Sequence, residues 1–252
     1  MSEYALDALP RAGHCVHGTP YLPDGTPADD PQDMEVAHVY IGYASTTVHP
    51  ALTFHPDDPE LADDPEPDTY PYVTGKPTPN GDYNDAWSDF PDTHDYAIVE
   101  LDEPLSEATM AGLGTLPVLA DVGTLDDMSQ RELRGLVFET VGYGLQYTRG
   151  PWRFQGDWVR YKAESTLINT RSANNGGYSF QTTNNKGRYE GGSCFGDSGG
   201  PVFLQQGDNH PAIGDHVIIG IVSWGYSPNC TGADWSYRTD LQTVHDFVAA
   251  YL

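Results

Sequence analysis

Lysine is nearly missing from this chain: its 252 residues hold three, Lys76, Lys162 and Lys186. All basic side chains together number 12 against 37 acidic ones, a formal net charge of −25. Such a charge repels phosphate backbones and anionic headgroups, which argues against nucleic-acid binding and against docking on a membrane surface. It also favours a soluble monomer. No apolar stretch approaches the ~18 residues that a membrane-spanning helix needs. Cysteine is scarce and odd in number, with Cys15, Cys194 and Cys230, so one internal pair leaves one thiol over. The first eleven residues carry acids and no apolar run. They do not read as a signal peptide, so the sequence implies either a cytosolic protein or a true start upstream of Met1. Zinc, nicotinamide and phosphate-loop motifs are absent, and no cofactor or metal is expected. The run from Pro56 to Asp68 is acidic and proline-rich. It reads as a solvated loop, and its spacing matches no calcium loop.

What is plentiful is turn-forming residue: 27 glycines and 20 prolines. Short strand-like runs lie between them, at Val36 to Ala44, Tyr96 to Leu101, Leu136 to Val141, Trp158 to Tyr161, Ser165 to Ile168, Val202 to Leu204 and Val217 to Val222. Met110 to Met128 is irregular and reads as a link between two halves. This pattern predicts an all-β barrel or sandwich. The C-terminus differs: Leu241, Val244, Phe247, Val248 and Tyr251 follow helical spacing after Asp240, which reads as the cap.

Three segments carry chemistry. Gly191 to Phe203 (GGSCFGDSGGPVF) sets Ser198 among small residues, after an aspartate and before an apolar strand. A nucleophilic serine needs this setting: an exposed hydroxyl on a tight turn, with backbone N–H groups aimed at a developing oxyanion. Arg11 to Val16 (RAGHCV) holds His14 between glycine and cysteine, and His94 to Leu101 (HDYAIVEL) puts Asp95 at the mouth of an apolar strand. Each of the latter two is weak alone, and His17 and Asp92 are nearby competitors. Together they give the order His, Asp, Ser, one of the known triad orders. An α/β-hydrolase would place serine before histidine and follow it with a helix, whereas Pro201 and a strand-like run follow here.

With VGYG (Val141 to Gly144) and GIVSWG (Gly220 to Gly225), these segments make the sequence resemble the chymotrypsin-like serine proteases, most of all their secreted bacterial members. The resemblance implies two six-stranded antiparallel β-barrels, the first incomplete here, with a C-terminal helix. The halves would divide as residues 1–125, carrying His14 and Asp95, and 126–252, carrying Ser198 and the specificity pocket. It implies a serine endopeptidase: Ser198 the nucleophile, His14 the general base, Asp95 its orienting partner, and the N–H groups of Gly196 and Ser198 the oxyanion hole. Protein or peptide would be the substrate and the extracellular space the place of action. The substrate would run along Ser223, Trp224 and Gly225, with Gly192 at the base of the primary pocket and Ser193 beside it. An acid at that base is missing. On the opposite wall, Asp234 facing in would suit a basic side chain, and Trp235 facing in would shorten the pocket. Cys194 and Cys230 match a family disulfide, while the family partner of Cys15 would lie upstream of His14, where the chain has no cysteine.

The family also has strands before the histidine, and a mature N-terminal amine that pairs with the aspartate before the serine, here Asp197. The thirteen residues ahead of His14 are acidic and do not read as strand. This leaves an open first barrel, a loosely held oxyanion loop, and a second reading as a catalytically silent binding or regulatory protein.

Overall fold

The computed structural model describes residues 8–11, 39–42, 72–83, 88–107, 110–111, 116–147, 154–155, 160–185, 187, 190–205 and 216–252. Four of the strands form one sheet: β1 (Ala8–Arg11), β2 (Val39–Gly42), β3 (Tyr72–Pro79) and β4 (Ala97–Leu101), in the order β1-β4-β3-β2. The N-terminal segment is therefore not strandless, as its composition suggested. Ala8 to Arg11 pairs antiparallel with β4, from Ala8 opposite Glu100 to Arg11 opposite Ala97. Pairing with a strongly apolar neighbour outweighs the poor local pattern of ALPR, as is common for β propensity.

The second sheet begins with β5 (Val118–Leu119), inside the stretch read as an irregular link. It continues with β6 (Val137–Gly142), β9 (Tyr161–Asn169), β10 (Ser179–Asn184), β11 (Pro201–Gln205), β12 (Val217–Gly225) and β13 (Gly232–Arg238). The pair β7 (Gln146–Tyr147) and β8 (Phe154–Gln155) stands apart from it. The order is β11-β6-β9-β10-β13-β12-β5, and β11 also pairs with β12. Six strands thus close into a barrel, and β5 adds a parallel extension on β12. The apolar alternation of the sequence becomes the barrel interior: Leu136, Phe138, Phe180, Val202, Leu204 and Ile219 form one buried cluster. The four-residue helix α1 (Gln130–Leu133) seals one end with Leu133. It starts at Ser129 in a reciprocal cap, Ser129 Oγ accepting from Glu132 N–H and Glu132 Oε2 from Ser129 N–H.

The C-terminal helix α2 runs from Gln242 to Ala249. Val244 is buried, and Leu241, Phe247 and Val248 pack against Tyr96, Ile221 and Tyr237. Tyr96 directly precedes β4, so this cluster joins the first sheet to the barrel and fixes the strand mouth at Asp95. The expected cap is corrected. Leu241 holds the N-cap position without a side-chain bond. The Asp240 carboxylate turns inward to Arg238 Nε at 2.8 Å and accepts from Leu125 N–H at 2.8 Å. A buried guanidinium is the stronger attraction for a carboxylate than exposed helix-end amides. Among the described residues no helix is long and apolar enough to cross a membrane.

Candidate active site

The serine segment is a turn held at both ends. Gly196 has φ +95° and Gly199 φ +75°, in the left-handed region that glycine enters without steric cost. Ser198 between them is exposed. Phe195 C=O accepts from Leu145 N–H at 2.8 Å. In a trans peptide the C=O and the following N–H point opposite ways, so Gly196 N–H faces away from the 145 loop. Among the described residues no backbone carbonyl accepts from Gly196 N–H or Ser198 N–H.

The aspartate before the serine folds back under this turn. Asp197 Oδ1 accepts from Gly144 N–H at 2.8 Å and Oδ2 from Cys194 N–H at 2.9 Å. Burial pushes its carboxyl above the usual range, and these two donors oppose the push. The loop that the sequence left without an anchor is thus anchored by backbone amides. Cys194 and Cys230 form a disulfide, Cα to Cα 5.1 Å, which ties the turn to the segment between β12 and β13.

The same turn is sewn to β12. Gly199 N–H donates to Val222 C=O at 2.9 Å, and Val222 N–H donates to Gly200 C=O at 2.9 Å. The next residue, Ser223, is buried, and its Oγ donates to Asp95 Oδ2. Asp95 is fully buried. Two of the three residues singled out for catalysis are therefore linked through one strand: Ser198 by its neighbour Gly199, Asp95 by Ser223. His14, with Cys15 and His17, lies outside the described residues. The competing acid, Asp92, is otherwise engaged, its Oδ1 accepting from Tyr237 O–H at 2.7 Å. Ser223, expected along the substrate path through its backbone, turns its side-chain hydroxyl to the acid.

The segment expected to form the pocket wall lies on β13. Asp234 and Trp235 alternate on β13 and so face opposite sides. Trp235 stacks on Trp224 at 4.2 Å between ring centroids and donates from Nε1 to Asn175 Oδ1. Asp234 lies against Gly192, close enough that a Cβ there would clash with its Oδ2. Its Oδ2 accepts from Ser193 N–H at 2.6 Å and from Asn184 Nδ2 at 3.0 Å. Burial raises this carboxyl's pKa too, against those donors. Asn184 escaped the sequence reading: an amide inside the polar run QTTNN carries no pattern. The exposed rings of Phe90 and Tyr226 beside Trp224 escaped it as well. A cavity of about 290 Å³ adjoins the turn, with Gly144, Tyr161, Asn184, Gly192, Ser193 and Asp197 in its wall. Among the described residues no cluster of three histidine, cysteine or acidic side chains offers a metal site.

The family model described as Trypsin matches residues 79–248. No curated protein matches the chain.

Proposed function

The chain belongs to the trypsin family of serine proteases, and on that premise we propose that it is an endopeptidase working through Ser198, His14 and Asp95. The observation that carries this reading is the Asp95–Ser223 hydrogen bond on the strand that also holds the Ser198 turn. A buried carboxylate fixed beside the serine turn is what the orienting acid of a triad requires.

His14 Nε2 takes the Ser198 hydroxyl proton as Oγ bonds to the scissile carbonyl carbon. The carbonyl π electrons move onto oxygen, and Gly196 N–H and Ser198 N–H receive that oxyanion. When the C–N bond breaks, the imidazolium returns the proton to the leaving amine. Water then attacks the acyl ester by the same route, releasing the acid and restoring Ser198. Asp95 keeps the imidazole in the tautomer that can accept at Nε2 and stabilises its cation. Substrate backbone pairs with Ser223 to Gly225 as an added strand. The halves at 1–125 and 126–252 each supply part of this site, and the family's usual place of action is extracellular, where the Cys194–Cys230 disulfide persists.

The test is labelling with a fluorophosphonate probe, which reacts with a serine activated by its base and oxyanion hole. Wild type should label and Ser198→Ala should not. Folded wild-type protein that stays unlabelled would leave the silent, binding-protein reading in its place.

A further inference from the structure

Asn175 is fully buried, and its side-chain amide is used to capacity. Nδ2 donates to Asn169 C=O and to Asn169 Oδ1, both at 2.8 Å. Oδ1 accepts from Ser172 O–H at 2.8 Å and from Trp235 Nε1 at 2.9 Å. Fixed partners on both ends allow the amide one orientation, so it holds the Trp235 indole at a set place. Closing its own loop would not require a bond to β13.

What the indole supports lies on the proposed substrate strand. Trp235 is buried and stacks on the half-buried Trp224 with the ring planes 9° apart. The two are cross-strand partners, and the register of β12 on β13 skips Ser223 just before them. Such a bulge bends its strand and re-aims side chains. Here Ser223 turns to Asp95 and Trp224 to Trp235. The register of β12 with β11 ends at Ile221, and beyond it Trp224 and Gly225 pair with Trp235 and Asp234. The stack therefore braces β12 where a substrate would pair with it. The Asn175 loop also packs on the segment that leads to Asp95, since a Cβ on Gly176 would stand 2.3 Å from Pro91 Cγ.

We propose that Asn175 is a positioning residue for substrate binding: through Trp235 it fixes Trp224, and with it the strand from Ser223 to Gly225 along which a peptide is held. The Ser198 turn joins β12 at Val222, ahead of the bulge, so Asn175 acts on binding and not on the bond-breaking step. The inference rests on the protease reading for its substrate, but peptide binding can be read without turnover.

Two matched nitroanilides test it, both ending in the residue that a peptide library favours for cleavage. One is a single acylated residue, too short to lie along Gly225, and the other is an acylated tetrapeptide. Asn175→Ala should raise KM for the tetrapeptide about tenfold, the worth of one hydrogen bond, and leave its kcat and both constants of the short substrate within about twofold. Trp235→Phe keeps a ring against Trp224 without the N–H and should give the same split, and it stands in if Asn175→Ala does not fold. The Trp235 indole N–H resonance, identified by its loss in Trp235→Phe, should exchange faster with solvent in Asn175→Ala. Ser129→Ala, which removes the cap of α1, should lower the melting temperature without changing KM. A KM that follows stability in all three variants overturns the inference, as does an unchanged KM for the tetrapeptide or an equal loss of kcat on both substrates. The last arm is calorimetric binding of the acylated tetrapeptide acid to Ser198→Ala protein. If wild type cleaves nothing, binding that Asn175→Ala weakens about tenfold supports the inference and overturns the protease reading alone. Absent binding, or binding that Asn175→Ala leaves unchanged, overturns the inference, and cleavage by wild type then leaves the protease reading intact.

Discussion

Asp95 is fully buried and Ser223 is 6% exposed, so the bond between them is shielded from water. Hydrogen bonds to a charged group contribute about 1.5–3 kcal/mol, more than neutral ones. Ser223→Ala should therefore lower kcat by roughly 10- to 100-fold with little change in KM, since the hydroxyl steadies the acid and not the substrate. Asp95→Asn should cost far more, about 10⁴ in kcat, because the amide favours the wrong histidine tautomer. Steady-state kinetics on one peptide checks both. Asp234 makes a prediction of different sign. Burial holds its carboxyl pKa above the ordinary value of 3.8. The folded protein therefore binds this proton more tightly than the unfolded chain does. Below 3.8 the group costs nothing through this linkage, and the cost grows as pH rises through the folded pKa. Asp234→Asn should gain on its parent in melting temperature between about pH 3 and pH 7. Melts in a Ser198→Ala background, where self-digestion is absent, read this directly. A gap that narrows with rising pH would contradict the burial cause.

At the scale of elements, one buried cation holds several pieces together. Arg238 on β13 is 1% exposed. It reaches Asp240 at 2.8 Å, Asp126 at 2.9 Å and Gly177 C=O at 2.9 Å. Burial works against its charge, but the acids around it prevail and hold its pKa above the usual guanidinium value. Arg238→Met removes the cation and leaves Asp240 charged and buried, a change that typically costs about 3–5 kcal/mol. Urea melts should show that loss, and Arg238→Met combined with Asp240→Asn should recover part of it. None of this was visible in the chain, where Asp240 reads naturally as a helix cap. The elements that could be read were those with apolar or strand-like runs: β2, β4, β6, part of β9, β11, β12 and the α2 stripe. β10 (SFQTTN) and β13 (GADWSYR) could not be read as strands. Their buried positions include Thr182, Asn184, Asp234 and Arg238; Asn184 pairs with Asp234, and Arg238 with Asp240, Asp126 and Gly177 C=O. β3 was hidden by Pro77 and Pro79, residues that usually argue against an inner strand. The site divides in the same way. The Ser198 turn was legible because nucleophile chemistry demands glycines around it. Asn184 was not, because its meaning lies in an acid fifty positions away.

The whole molecule carries 37 acids against 12 bases, and this charge acts on stability and on encounter with substrate. Like charges across one surface oppose the compact state, and the Debye length shrinks from about 10 Å at 0.1 M salt to about 3 Å at 1 M. The melting temperature should therefore rise with sodium chloride over that range, and a flat curve would show that this repulsion costs the fold nothing. Encounter should respond in the opposite direction. For an Arg peptide, kcat/KM should fall with salt as the attraction of the acidic surface is screened, while a neutral peptide changes little.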